Sequence, residues 1–163
     1  MIVLGIDPGT ATTGFGFIHY EQGKARILDY GCIKTASNLL LEERLQQIWE
    51  DLEELVSKWK PNCAAVEEVF FSKNVKTAIS VAHARGVILQ KLYSKGIASE
   101  KYTPSQIKST ICGDGKADKK QIQKMLKIIF SMENEPKQDD AADALAIALC
   151  HAYLSISKNL QFK

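Results

Sequence analysis

The stretch that most restricts this chain is its opening, Met1-Ile-Val-Leu-Gly-Ile-Asp7-Pro-Gly-Thr-Ala-Thr-Thr-Gly14. A near-continuous apolar run of strand length ends in a single carboxylate, and Pro8-Gly9 turns the backbone before a second β-rich run begins. A strand this apolar is covered on both faces, as in layered α/β sheets. An ionised carboxylate out of water costs several kcal/mol unless it is paired or metal-bound. Asp7 is therefore either a turn residue, since Asp-Pro-Gly is ordinary turn chemistry, or part of a site.

Downstream, strands and helices alternate. Gly14–Tyr20 and Ala25–Lys34 read as two further strands around the turn Glu21-Gln22-Gly23-Lys24, making an antiparallel meander with the first. Leu41, Leu45, Ile48, Leu52, Leu55 and Trp59 recur at helical spacing, predicting a helix from an Asn38 N-cap to about Lys60. Its acids, Glu53 among them, are expected to face solvent. Pro61-Asn62 stops that helix, and Cys63–Phe71 reads as a fourth strand that again carries acid, Glu67-Glu68, in an apolar run. The strand–helix–strand passage favours parallel pairing with the first strand, bringing one of the two glutamates beside Asp7. Only one can point that way.

A long helix over residues 72–95 has two apolar stripes, one through Val75, Ile79, Ala82, Gly86 and Leu89, the other through Val81, Ile88 and Leu92. One stripe covers the sheet; the other asks for a partner, most simply the same helix of a second subunit across a two-fold axis. Residues 97–103 give a fifth strand, Pro104 opens a short helix carrying Lys108, and the loop Cys112–Ala117 leads into a basic helix over 118–131. Gly115-Lys116 lacks the Ser or Thr of a Walker loop, and Asp114 lacks the spaced ligands of an EF-hand. The last helix, from Asp139 and Asp140 through Tyr153, is alanine-rich and apolar almost all round beyond Asp143, which marks it as buried against a sheet.

At 163 residues the chain fits one domain, 1–157, followed by a short tail at 158–163. Its four cysteines form no Cys-x-x-Cys pair, so reduced thiols are expected rather than zinc ligands or disulfides. With no basic leader before Asp7 and no apolar run of membrane-spanning length, a cytoplasmic protein without a membrane partner is expected. The net charge of +2 hides an asymmetry: residues 1–71 carry 6 basic against 11 acidic residues, whereas 72–132 carry 12 against 3, a net of +9. Charge of that density is the footprint that phosphate backbones attract.

Asp7, one glutamate of the fourth strand, and Asp140 and Asp143 on one face of the last helix can meet at one end of a compact sheet. Taken alone, Asp140 and Asp143 are ordinary helix-start residues, and Asp139 is assigned to that capping role. Taken together, clustered anions repel unless a divalent cation neutralises them, and oxygen-only ligands suit Mg²⁺ or Mn²⁺ rather than zinc. Such a site activates water and steadies the leaving oxygen of a phosphodiester.

Four stretches carry a resemblance: Leu4-Gly-Ile-Asp7-Pro-Gly-Thr, Ala65-Val-Glu67-Glu-Val-Phe70-Phe-Ser-Lys73-Asn74, Ala84-Arg85-Gly86 and Asp140-Ala-Ala-Asp143-Ala-Leu-Ala-Ile-Ala. In this order and spacing, over about residues 1–155, the chain resembles the RuvC family of Holliday-junction resolvases. The resemblance implies an α/β, RNase H-like fold: a mixed five-stranded sheet, antiparallel meander plus parallel strands, flanked by helices on both faces. It also implies a homodimer that cuts four-way junction DNA with Mg²⁺, two ions per active site and Mn²⁺ as a substitute. Paired symmetric nicks would leave 5′-phosphate and 3′-hydroxyl ends, and a branch-migration complex is a further implied partner.

Carried over by motif, Asp7, Glu67, Asp140 and Asp143 become the metal-binding catalytic acids, which chooses Glu67 over Glu68. Lys108 and Lys119 fall where the family has basic residues near the scissile phosphate, with Lys120 a close rival for the second. Phe70 falls where the family has an aromatic beyond strand four, with Phe71 beside it. Lys73, Asn74, Lys76, Arg85 and Lys116 complete the set expected to touch DNA. The chain departs from the family at Thr10-Ala-Thr-Thr13, which lacks a basic residue that many relatives carry. Two other functions compete: a non-catalytic junction-binding protein, and an actin-like or sugar-kinase ATPase, whose first phosphate loop Asp7-Pro-Gly-Thr10 also resembles.

Overall fold

The computed structural model describes residues 1–68, 75–136 and 138–161, with all side chains among them except those of 75–77 and 156–161. Along the chain these form β1 (Ile2–Asp7), β2 (Thr12–Glu21), β3 (Lys24–Lys34), α1 (Leu41–Trp59), β4 (Cys63–Glu67), α2 (Val75–Ser94), β5 (Ala98–Tyr102), α3 (Pro104–Cys112), α4 (Lys119–Ile129) and α5 (Asp139–Gln161). Gln22 and Gly23 at the β2–β3 turn both have positive φ, 49° and 81°, as the hairpin twist requires. The five strands lie in the order β3-β2-β1-β4-β5. β1 runs antiparallel to β2 and parallel to β4, and β4 runs parallel to β5. This is the mixed sheet of an RNase H-like fold, and it sets the carboxyl ends of β1 and β4 side by side, where open α/β sheets place their ligands.

Side chains alternate across the sheet and divide the core in two. Leu4, Ile6, Phe17, Ala64 and Val66 pack with Ile48 and Leu52 of α1 and with Ala84, Ile88 and Leu92 of α2. Val3, Ile18 and Ala65 pack on the opposite face with Ile107 and Ile111 of α3, Ile122 and Leu126 of α4, and the long apolar side of α5. By the same alternation, Asp7 and Glu67 belong to the α5 face.

Glycine and alanine let α5 sit unusually low on that face. A Cβ added to Gly5 would fall against the backbone of Ala144 and Ala148, one on Gly14 against the carbonyl of Asp140, and one on Gly16 against Leu145. The bare backbone of β1 and β2 therefore receives α5, bringing the first turn of that helix down over the end of β1.

Four expectations change. α1 begins at Leu41, with Leu40 at its N-cap, and Asn38 lies in the preceding turn. The N-cap side chain makes no cap bond, and only the reciprocal half of a capping box is present: Glu43 Oε2 accepts from the Leu40 N–H at 2.8 Å. Glu53 is not merely a solvent-facing acid. It accepts from the buried Lys91 at 2.7 Å and pairs with Lys95, tying α1 to α2, and these bonds hold its carboxyl down at about 2. Lys91 completes its burial over the ring of Trp49, 3.8 Å from the centroid. β4 ends at Glu67, leaving Glu68 outside it to pair with Lys101 at 3.1 Å. α5 is helical as far as Gln161, past residue 157, because propagating a formed helix costs little.

Candidate active site

Asp7 and Glu67 reach the site as the last residues of two neighbouring parallel strands, and their carboxyls are in hydrogen-bonding contact. Burial first, then the charges of Glu67, Asp143 and Asp140, push Asp7 up to about 8. Burial and the charge of Asp143 likewise raise Glu67, against a lowering pull from the bond to Asp7 and from Lys108. Asp143 is raised by burial, with Lys119 opposing. Asp7 thus feels all three of the other expected acids.

Two lysines converge on the same acids. Lys119, the first residue of α4, places Nζ 3.1 Å from Asp139 Oδ2 and 3.5 Å from Asp143 Oδ2. Burial works against its charge, but the bond to Asp139 and the nearby Asp143 leave its pKa raised. Asp118 orients this end of α4 by accepting from the Gln121 N–H at 2.9 Å. A cleft of about 230 Å³ opens between α3, α4 and α5, with Glu67, Lys108, Lys119 and Asp143 along its polar side and Ile107, Ile122 and Ile147 among its apolar lining.

Of the residues expected to contact DNA, Lys108 and Lys119 face the acids, and Lys120 is exposed beside Lys119. Lys116 lies in the α3–α4 loop, where its N–H bonds Asp114 Oδ1 at 2.9 Å. Arg85 is half-buried, and its Nε donates to the main-chain carbonyl of Glu67 at 3.2 Å. Phe70, Phe71, Lys73 and Asn74 lie outside the described residues, as does the side chain of Lys76.

Two neighbours of the acids went unrecognised in the sequence. Asp139, read as a simple cap, instead accepts from Gln123 Nε2 at 3.0 Å and holds Lys119 in place. Cys32 of β3 pairs across the sheet with Gly14, near enough to Asp140 and Asp7 for their charges to add to burial in raising its thiol. A thiol so raised stays protonated at neutral pH and is a poor metal ligand. No local pattern marks Cys32; only the β2–β3 register brings it there.

Among the described residues, no group of three or more His, Cys, Asp or Glu side chains is gathered into a set that could hold a metal ion. The carboxylates are instead balanced by the contact between Asp7 and Glu67 and by the Lys119 ammonium. The donor chemistry nevertheless fits a hard divalent cation: half-buried carboxylates that raise one another's proton affinity offer oxygen ligands to a charge that can replace a proton.

A family model described as crossover junction endodeoxyribonuclease RuvC matches residues 3–151. The chain is 48% identical over 155 residues to the crossover junction endodeoxyribonuclease RuvC of Alkaliphilus metalliredigens, covering 94% of this chain and 93% of that one. It is 48% identical over 162 residues to the protein of that name from Fusobacterium nucleatum, covering 99% and 85%. Thermus thermophilus RuvC, solved in complex with Holliday junction substrate, superposes with a TM-score of 0.93 at 33% identity, over 97% of this chain and 96% of that one. The yeast mitochondrial Holliday junction resolvase Ydc2 shares the fold at 18% identity, with a TM-score of 0.69 over 99% of this chain and 86% of that one.

Proposed function

The chain belongs to the RuvC family of crossover junction endodeoxyribonucleases, and from that premise we propose how it acts as an endonuclease on four-way DNA junctions. The observation that supports the reading is that Glu67, Asp143 and Asp140, distant in sequence, all lie near enough to Asp7 for their charges to raise its pKa, while Lys108 and Lys119 line the cleft with Glu67 and Asp143. Asp7, Glu67 and Asp143, with Asp140 alongside, would hold Mg²⁺ or Mn²⁺, two ions per site. Bound there, the metal supplies Lewis-acid activation of water and stabilisation of the departing 3′ oxygen. Lys119 and Lys108, which line the cleft with Glu67 and Asp143, would offer positive charge to the scissile phosphate. Hydrolysis leaves a 5′-phosphate and a 3′-hydroxyl.

The exposed stripe of α2, with Ile79 49% and Tyr93 81% accessible, supports a two-fold dimer. Two sites related in this way match the two opposed strands of an open junction, giving paired symmetric nicks. The basic segment 72–132 of each subunit would follow the backbone by charge and shape, with Phe70 or Phe71 available to stack on an unpaired base. Among the described residues no helix is long and apolar enough to cross a membrane, and a cytoplasmic location with a branch-migration complex as partner belongs to the same proposal. The test is nick mapping on a synthetic four-way junction with duplex and three-way controls: the proposal requires ligatable nicks at symmetric positions in the four-way substrate.

A further inference from the structure

We propose that α2 is a splint for the two acid-bearing strand ends, with Arg85 and Ser80 as positioning residues for Glu67 and Asp7. The pairing of β1 with β4 stops at Ile6 and Val66, one residue short of the acids. Glu67 remains registered to Tyr102 on its outer side and Asp7 to Gly14 on its own. Between them the ladder has ended, at the point where clustered carboxylates push apart once ionised.

α2 reaches across that gap to both sides. Arg85 Nε bonds the carbonyl of Glu67 itself, at 3.2 Å. One turn and a half earlier, Ser80 meets the loop that follows Asp7. Thr10 Oγ1 donates to the Ser80 carbonyl at 2.6 Å, and Ser80 Oγ donates to Thr10 Oγ1 at 2.7 Å. Thr10 is only 4% exposed, and its carbonyl accepts from Thr35 Oγ1 at 2.6 Å, which in turn accepts from Arg44 Nε at 2.8 Å. The loop is therefore pinned between α2 and the end of β3 by consecutive hydrogen bonds, the kind that strengthen one another away from water.

α2 is stiff enough for the role. Ala84, Ile88 and Leu92 anchor it in the core, and Lys91 ties it to α1. Carboxylates that are to share a cation must be held to within about 0.5 Å, and supporting bonds of this sort provide that precision. Arg85 then serves the site through the backbone of Glu67, in contrast to a direct phosphate contact.

The splint rests on the junction-cutting function proposed above, so its test includes a readout independent of cutting. Mn²⁺ binding to the free protein is followed by electron paramagnetic resonance for wild type, Arg85→Gln, Arg85→Lys and Ser80→Ala. Alongside it run the Mg²⁺ dependence of single-turnover cleavage, junction affinity across a salt series with metal chelated, and thermal melting. Arg85→Gln and Ser80→Ala are expected to weaken Mn²⁺ binding and raise the Mg²⁺ requirement by about 10-fold or more. Arg85→Lys restores part of the loss, and junction affinity and its salt slope stay at wild-type values. Unchanged Mn²⁺ binding in Arg85→Gln and Ser80→Ala overturns the splint. So does a drop in junction affinity with a salt slope smaller by about one, which would make Arg85 a phosphate contact. If Arg85→Gln fails to fold, Ser80→Ala and Arg85→Lys decide by the same criteria. A wild type that binds Mn²⁺ but does not cut overturns the function and leaves the splint to the metal titration.

Discussion

The carboxyls of Asp7 and Glu67 touch at the adjoining ends of two parallel strands, so at least one of them favours a proton in the absence of a cation. Asp7 stands at about 8 in the fold against an ordinary value of 3.8. Between those two values the native protein holds a proton that the unfolded chain has released, and stability therefore falls as pH rises through that window. Thermal melts in chelator are expected to show this decline in wild type and a flatter profile in Asp7→Asn, with the variant the more stable at the alkaline end. Added Mg²⁺ is expected to raise the wild-type melting temperature at that end more than the variant's.

Much of this arrangement was legible in the sequence, for physical reasons that differ by residue. Asp7 stands out because a carboxylate ends an apolar strand, and the β2–β3 hairpin because Gln22-Gly23 suits a turn with positive φ. The residues alone left Glu67 and Glu68 open and only the resemblance chose between them; the structure supplies the physical reason, since Ala65 packs on the α5 face and the residue two further on shares it. The capping pattern misled at Asn38: the helix starts two residues later behind Leu40, whose N–H is bonded by Glu43 from inside the helix. Asp139 and Cys32 were hidden because the packing of α4 on α5 and the pairing of β2 with β3 place them, and neither shows in local periodicity.

Gly14 matters to the site through what it lacks. Gly14→Ala sets a methyl group against the Asp140 carbonyl and must lift the start of α5. A loss of about 1–3 kcal/mol in denaturant unfolding is expected, together with reduced cleavage, because Asp140 and Asp143 ride on the displaced turn.

Lys119 and Lys120 are neighbours in sequence but differ in their contacts. Only the former is seen bonded to Asp139 and Asp143. Lys119→Ala is expected to slow single-turnover cleavage by about 100-fold, the scale of losing one charge-stabilising donor. Lys120→Ala is expected to act mainly on junction affinity and its salt dependence.

The outward stripe of α2 supplies a test of subunit pairing. A Cβ at Gly86 meets nothing within 4 Å and the position is exposed, so Gly86→Leu is expected to leave the folded chain itself intact. If two copies of α2 pack at this stripe, Gly86→Leu or Ile79→Glu shifts light scattering from dimer towards monomer. The effect on the fold is expected to stay within about 0.5 kcal/mol for Ile79→Glu, the usual range for a surface change.

The most direct measurement is single-turnover cutting of a synthetic four-way junction in Mg²⁺ by wild type and Asp7→Asn, with junction affinity measured in parallel in chelator. The account predicts that wild type cuts, that the variant is slower by about 10³-fold or more, and that both bind the junction alike. An Asp7→Asn protein that cuts at the wild-type rate would contradict it.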